Sequence, residues 1–220
     1  DRQVDGIIFA TMRARELFVP NLPSGTAVVM LNATNAQHTT SVLPDEYAGG
    51  AQAVQILVDH GHREGIVLLG QNDEVERDVF RSATVARRVA GIRNSMASHG
   101  LEFVAEESIW LWEPDEGYKA TRQLLERGED VRALLCMNDR IAFGAYQALT
   151  EAGLSVPGDI SIVSFDNDEL AAYLRPGLTT VALPHEAMGR KAVELLLTPT
   201  AQGETLVPMP VVMRDSVARV

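Results

Sequence analysis

The chain has 220 residues, 46% of them hydrophobic and 22% charged, with a formal net charge of −11 and one cysteine. This composition excludes a disordered chain, a disulfide-stapled miniprotein and a membrane span, and it accommodates one large or two small domains. So acidic a surface repels a phosphate backbone, so this chain by itself is not expected to grip nucleic acid.

Short apolar runs alternate with amphipathic segments from one end of the sequence to the other. The runs fall at 6–9, 27–31, 66–69, 133–137 and 160–165. Each is nearly continuous in apolar character, as expected of parallel strands buried on both faces. A helix is expected over 45–60, stopped by Gly61, with His60 and His62 placed to cap carbonyls at its end. Another runs over 85–99 to Gly100, and the charged stretch 71–81 before it reads as a surface loop. The run 108–111 reads as a strand followed by Trp112 and Glu113; Pro114 then opens a helix that reaches Gly128. Helices over 139–152 and 185–197 follow, with a short extended piece at 178–181 between them. The last segment, 206–214, carries Pro208 and Pro210, which confine it to a sheet edge. Strands and helices in alternation predict an α/β, doubly wound architecture.

The familiar catalytic motifs are absent. There is no Gly-x-Gly-x-x-Gly, no P-loop and no Gly-x-Ser-x-Gly elbow, and no histidine pair has a third ligand at metal spacing. Cys136 lies in an apolar run and reads as a small buried hydrophobe. What remains is a set of polar residues at the C-terminal ends of expected strands: Asn32, Trp112, Asn138, Asp139, Asp166, Asn167 and Asp168, with Arg87 and Arg88 opening a helix. In open α/β sheets ligands bind at that edge. Carboxylates, amides and a guanidinium suit a polyhydroxylated ligand, and an indole face stacks on a sugar ring. Each residue also has a plainer role available. Asn138 and Asp166–Asp168 can be helix caps or turns, Trp112 a core aromatic, and Arg88 a solvated helix charge.

Several motifs occur in order: Val4-Asp5-Gly6-Ile7-Ile8, Asp45-x-x-x-Gly49, Gly61-His62-Arg63, Arg88-Val89-Ala90-Gly91, Asn138-Asp139-Arg140-Ile141-Ala142, Val156-Pro157-x-Asp159-Ile160, Pro176-x-Leu178-Thr179-Thr180 and Met213-Arg214-Asp215-Ser216. This set resembles the regulatory domain of the lactose-repressor (LacI/GalR) family of bacterial transcription regulators across essentially the whole chain. The resemblance implies a two-lobed, periplasmic-binding-protein-like (type I) fold. Each lobe would be a mostly parallel doubly wound sheet flanked by helices, with the N-terminal lobe incomplete. It implies the division 1–62 for the first lobe, 63–177 for the second, 178–203 back to the first and 204–220 back to the second. The DNA-binding headpiece and the first two strand–helix units of the first lobe would lie outside this chain.

By the same resemblance Arg88, Trp112, Asn138 and Asp166 match effector contacts, His185 falls near another cleft position, and Phe143 and Tyr173 match a homodimer interface. Glu46 departs from the pattern, since the family usually has Asn after the residue matching Asp45. The implied protein is a cytoplasmic sensor and not an enzyme, without cofactor or metal. It would bind a small sugar-like effector between its lobes and touch operator DNA only through the absent headpiece. A periplasmic solute-binding protein of an uptake transporter shares this architecture. An α/β enzyme using Asp139, Asp166 or Asp168 as acid and base is a third possibility, against which no nucleophile–base pair appears.

Overall fold

The computed structural model describes residues 4–71, 82, 84–198 and 203–220. The stretch read as a surface loop, 71–81, lies from residue 72 onward outside these described residues.

The first sheet is parallel throughout. It has the order β1 (Gly6–Glu16), β2 (Ala27–Thr34), β3 (Ser41–Pro44), β9 (Glu204–Val207). Alternation along β2 divides its side chains between two clusters. Val29, with Leu31 beside it, packs with Val42 and Val207 against Met188, Ala192 and Leu195 of α6 (His185–Leu197). Met30, with Val28 beside it, points the other way and is covered by Val19, Leu17 and Leu22 of the segment after β1; Ala33 joins this cluster because the left-handed backbone at Asn32 breaks the alternation. A period of two is what lets one strand serve both faces. The register of β1 on β2 shifts between Ala10 and Arg15. At that irregularity Asn32 donates through Nδ2 to the Thr11 carbonyl at 3.1 Å and holds φ at +52°.

The second sheet carries most of the core. Its order is β10 (Val211–Val212), β8 (Thr179–Ala182), β7 (Ser161–Asp166), β6 (Ala133–Cys136), β4 (Ile66–Leu69), β5 (Ala105–Glu107), and only β10 runs antiparallel to its neighbour. All residues of β4, β6 and β8 are buried, hence the continuous apolar runs of β4 and β6. Cys136 is fully buried and unpaired, and burial pushes its thiol well above the usual range.

Helices α1 (Glu46–Asp59) and α2 (Val85–Ser98) pack on each other, as do α3 (Pro114–Glu126) and α4 (Asp139–Glu151). Right-handed crossovers in this strand order place α2 on one face and α3 and α4 on the other. A short α5 (Glu169–Tyr173) follows β7. The end of α1 is capped as its residues suggest: His60 Nδ1 meets the Ile56 carbonyl at 2.7 Å, and Arg63 donates to the Val58 carbonyl at 2.7 Å. His62 does not share that role; it is buried, which lowers its pKa. Among the described residues no helix is long and apolar enough to cross a membrane.

Three expectations are corrected. The division at 62/63 falls earlier, because Ala53, Val54, Ile56, Leu57 and Val58 of α1 join the core of the second sheet. The chain therefore crosses at Pro44 and Asp45. It crosses back after β8, which still pairs with β7, and crosses a third time between β9 and β10. The boundaries expected at 178 and 204 thus move to about 183 and 208. Second, the run 108–111 is not a strand. The strand is β5, and beyond Glu107 no neighbouring backbone remains to pair with, since β4 ends at Leu69. Ile109 turns into the core, while Trp110 and Leu111 stay more than half exposed. Third, the single strand read into 206–214 is two short edge strands in different sheets, with Pro208 and Pro210 in the link between them.

Candidate functional site

The three crossings meet at the C-terminal edge of the second sheet. Asp45 N–H donates to the Val207 carbonyl at 2.9 Å, Leu183 N–H to the Asp166 carbonyl at 3.2 Å, and Ala182 N–H to the Pro210 carbonyl at 2.8 Å. Asp166, the last residue of β7, thus sits where the chain passes between sheets. Its φ of +100° and the +54° of Asn167 are conformations that only glycine adopts freely. The turn is braced from several sides. Asn167 N–H donates to Thr180 Oγ1 at 3.2 Å and Arg214 Nη2 to Asn167 Oδ1 at 2.7 Å. Asp168 caps α5 by accepting from Leu170 N–H at 3.1 Å.

Arg88, in the first turn of α2, is the centre of the cluster and is only 2% exposed. Nε donates to Glu46 Oε2 at 2.6 Å and Nη2 to Glu46 Oε1 at 2.9 Å, a bidentate pair with an equally buried carboxylate. Nη1 donates to the Met137 carbonyl at 2.6 Å, and Nη2 lies 3.6 Å from Asp166 Oδ1. The guanidinium carbon stands 4.2 Å from the ring centre of Phe165 and 6.0 Å from that of Trp112. Burial works against the Arg88 charge, but Glu46 and then Asp166 overcome it and raise its pKa. Burial likewise pushes Asp166 above the ordinary carboxylate range; Arg88 pulls it back, and Glu46 adds to the rise.

Trp112 is half-buried against the core, and its Nε1–H donates to the Gly70 carbonyl at 2.8 Å. That bond fixes the indole plane beside Arg88. Asn138 caps α4, accepting from Ile141 N–H at 2.8 Å, while its Nδ2 donates to the Trp112 carbonyl at 3.3 Å. Both polar ends of Asn138 are therefore engaged within the protein. His185 begins α6 on the first-lobe side of a crossing, exposed and close enough to Asp166 for its charge to be felt there. Beneath the cluster lies Asp139, fully buried, which accepts from Ser164 Oγ and from Asp168 N–H at 2.7 Å.

The fold thus gathers Arg88, Trp112, Asn138, Asp166 and His185 around one edge. Phe143, half-buried on α4, and Tyr173, 74% exposed at the end of α5, lie apart from it on neighbouring elements. Reading the sequence missed two participants. Glu46 was visible only as a departure from a pattern, since an acid in the first turn of a helix is expected whether or not it is buried. Phe165 was hidden inside a strand. Among the described residues no three His, Cys, Asp or Glu groups converge as metal ligands.

Two mostly parallel sheets joined by three crossings, with polar groups at the crossing edge, define the class: a two-lobed binding domain. The family model of the periplasmic binding protein-like domain matches residues 54–217. The HTH-type transcriptional repressor PurR of Aliivibrio salmonicida is 30% identical over 204 residues, covering 90% of this chain and 58% of that protein. The PurR of Aliivibrio fischeri is 32% identical over 206 residues, with the same coverage of 90% and 58%. A LacI family transcriptional regulator from Enterococcus faecium with bound ribose superposes with a TM-score of 0.74 at 26% identity, covering 89% of this chain and 72% of that one. A dimeric Lac repressor with a C-terminal deletion gives 0.76 at 27% identity, with 89% and 70% covered. The chain belongs to the periplasmic-binding-protein-like family, and within it to the LacI/GalR effector-binding domains. It spans less than two thirds of the length of these PurR relatives.

Proposed function

We propose that this chain is the ligand-sensing part of a cytoplasmic transcription regulator, and a sensor rather than a catalyst. A small polar effector, a sugar or sugar derivative, binds between the lobes, hydrogen-bonds to Asp166 and stacks on Trp112. Arg88 orients Asp166, Asn138 holds the Trp112 loop, and His185 approaches from the first lobe. The ligand favours whichever lobe orientation it fits better, and it shifts that balance only by its difference in affinity for the two states. In a homodimer this changes the spacing of DNA-binding headpieces and so the affinity for operator DNA. The named relatives support this reading: PurR is a repressor, and the Enterococcus regulator holds ribose.

The observation that carries it is the placement of Asp166, a half-buried carboxylate on a braced left-handed turn where the chain passes between sheets. A charge-assisted hydrogen bond to it contributes roughly 1.5–3 kcal/mol, or about ten- to a hundredfold in affinity. The test is thermal unfolding of the full-length protein across a panel of sugars, amino sugars and nucleosides. Asp166→Ala is expected to lose most of the stabilisation given by the strongest ligand. Equal stabilisation of the variant would show that the site lies elsewhere.

A further inference from the structure

The buried pair at the centre of the site determines what charge its ligand can carry. The Arg88 guanidinium commits Nε–H and one Nη2–H to Glu46 and one Nη1–H to the Met137 carbonyl, and its remaining Nη2 side faces Asp166. Its faces lie against Phe165 and Trp112. With the Nε/Nη2 fork held by Glu46 and the second Nη2–H turned towards Asp166, the guanidinium leaves one Nη1–H and no bidentate fork for an incoming carboxylate or phosphate. Supplying one would mean displacing Glu46, itself only 3% exposed, and leaving a buried carboxylate unpaired. The groups that meet a ligand are therefore acceptors. Asp166 is the exposed member of the trio, with 30% of its side chain open. Two carboxylates, Glu46 and Asp166, stand against one guanidinium, so the cluster is net negative.

We propose that Glu46 sets the charge selectivity of this site. By holding the Arg88 fork and neutralising its charge, Glu46 makes the site one for neutral or cationic, donor-bearing ligands (polyols, amino sugars, uncharged heterocycles) and excludes carboxylates and phosphate esters. The proposal rests on the reading that Asp166 and Arg88 border an effector site, but its charge claim can be measured without knowing the effector.

The experiment follows thermal unfolding of the full-length protein at constant ionic strength, in two arms. In the first the probe is inorganic phosphate, with sodium chloride as the control. Wild type is expected to show no phosphate-specific rise in Tm. Glu46→Gln frees the guanidinium and gains one, and Glu46→Gln/Arg88→Gln loses it again, which a merely structural role for Glu46 would not produce. In the second arm the probes are matched sets: ribose and ribose 5-phosphate, and glucose, glucosamine and glucose 6-phosphate. Wild type is expected to prefer the neutral or amino member by about tenfold or more over its phosphate, because like charge facing like charge opposes binding. Glu46→Gln narrows that ratio. A phosphate or phosphosugar that stabilises wild type as well as its neutral counterpart overturns the proposal, as does an unchanged ratio in Glu46→Gln. If Glu46→Gln does not fold, the wild-type ratios decide alone. If phosphate binds only Glu46→Gln and no sugar stabilises wild type, the charge assignment stands and the sugar-sensor reading fails.

Discussion

Asp139 shows how one buried side chain makes stability depend on pH. It is fully buried, and burial pushes its carboxyl from an ordinary 3.8 up to about 7, against the pull of hydrogen bonds from Ser164 and Thr180. The folded-state pKa lies above the unfolded one, so between these values the folded state binds the extra proton. Stability is then greatest below the lower value and falls as pH rises through the window, by up to about 1.4 kcal/mol per pH unit. Asp139→Asn can still accept from the Asp168 N–H and never ionises. Urea midpoints from pH 4.5 to 7 are expected to fall in wild type relative to the variant; parallel curves would show that Asp139 does not carry the dependence. Asp139 was legible as polar and at a strand end, but its burial was not. The same holds for Glu46 and Arg88, whose spacing of 42 residues gives no local sign of a bidentate pair.

Among elements, the helix crossings set the geometry of the site, and glycines set the crossings. A Cβ at Gly144 of α4 would lie 1.9 Å from the Pro114 carbonyl oxygen and 2.5 Å from the Tyr118 nitrogen of α3. On the other face a Cβ at Gly91 of α2 would lie 2.0 Å from the Tyr47 carbonyl oxygen of α1. These are backbone atoms, so they cannot step aside alone. Alanine is the better helix former by roughly 1 kcal/mol. Gly144→Ala is nonetheless expected to destabilise, by about 1–3 kcal/mol, because α3 must move off α4. Gly189→Ala in α6 is the control: its Cβ meets nothing within 4 Å. It is expected to stabilise by about 0.5–1 kcal/mol. Denaturation midpoints moving in the same direction for both would refute the crossing argument. The helices themselves were readable from period and punctuation. The strand β5 was not, because Ala105-Glu106-Glu107 has one small apolar residue and two acids, and is a strand only by pairing with β4.

For the whole molecule, the second lobe is a six-stranded sheet, parallel but for its edge strand β10, with helices on both faces, and the first is a smaller sheet with α6 on one face. Tyr173 protrudes from the second lobe with 74% of its surface exposed, beside the α4 that carries Phe143. If these residues lie in a homodimer interface, as the family resemblance implies, Tyr173→Glu buries an unpaired charge there at a cost of several kcal/mol. Sedimentation velocity of the full-length protein is expected to show a shift from dimer to monomer. A dimer that persists undiminished would place the interface on another surface.

By itself the sequence determined the class of architecture, because strands buried on both faces leave continuous apolar runs and helices leave a period and a stop. It also determined that polar groups stand at the ends of β6 and β7, since Asn138, Asp139 and Asp166–Asp168 follow directly from those apolar runs, but not the positions of Trp112, which follows no strand, or of Asn32, which lies inside β2. Only the tertiary structure decided which sheet α1 joins, since an amphipathic helix shows that it has an apolar face but not what will cover it. The same limit applies to the acidic balance of −11. Net charge speaks for the solvated surface; the charge that governs the ligand site lies in the buried Glu46–Arg88–Asp166 cluster, which forms only when residues distant in sequence are packed out of water.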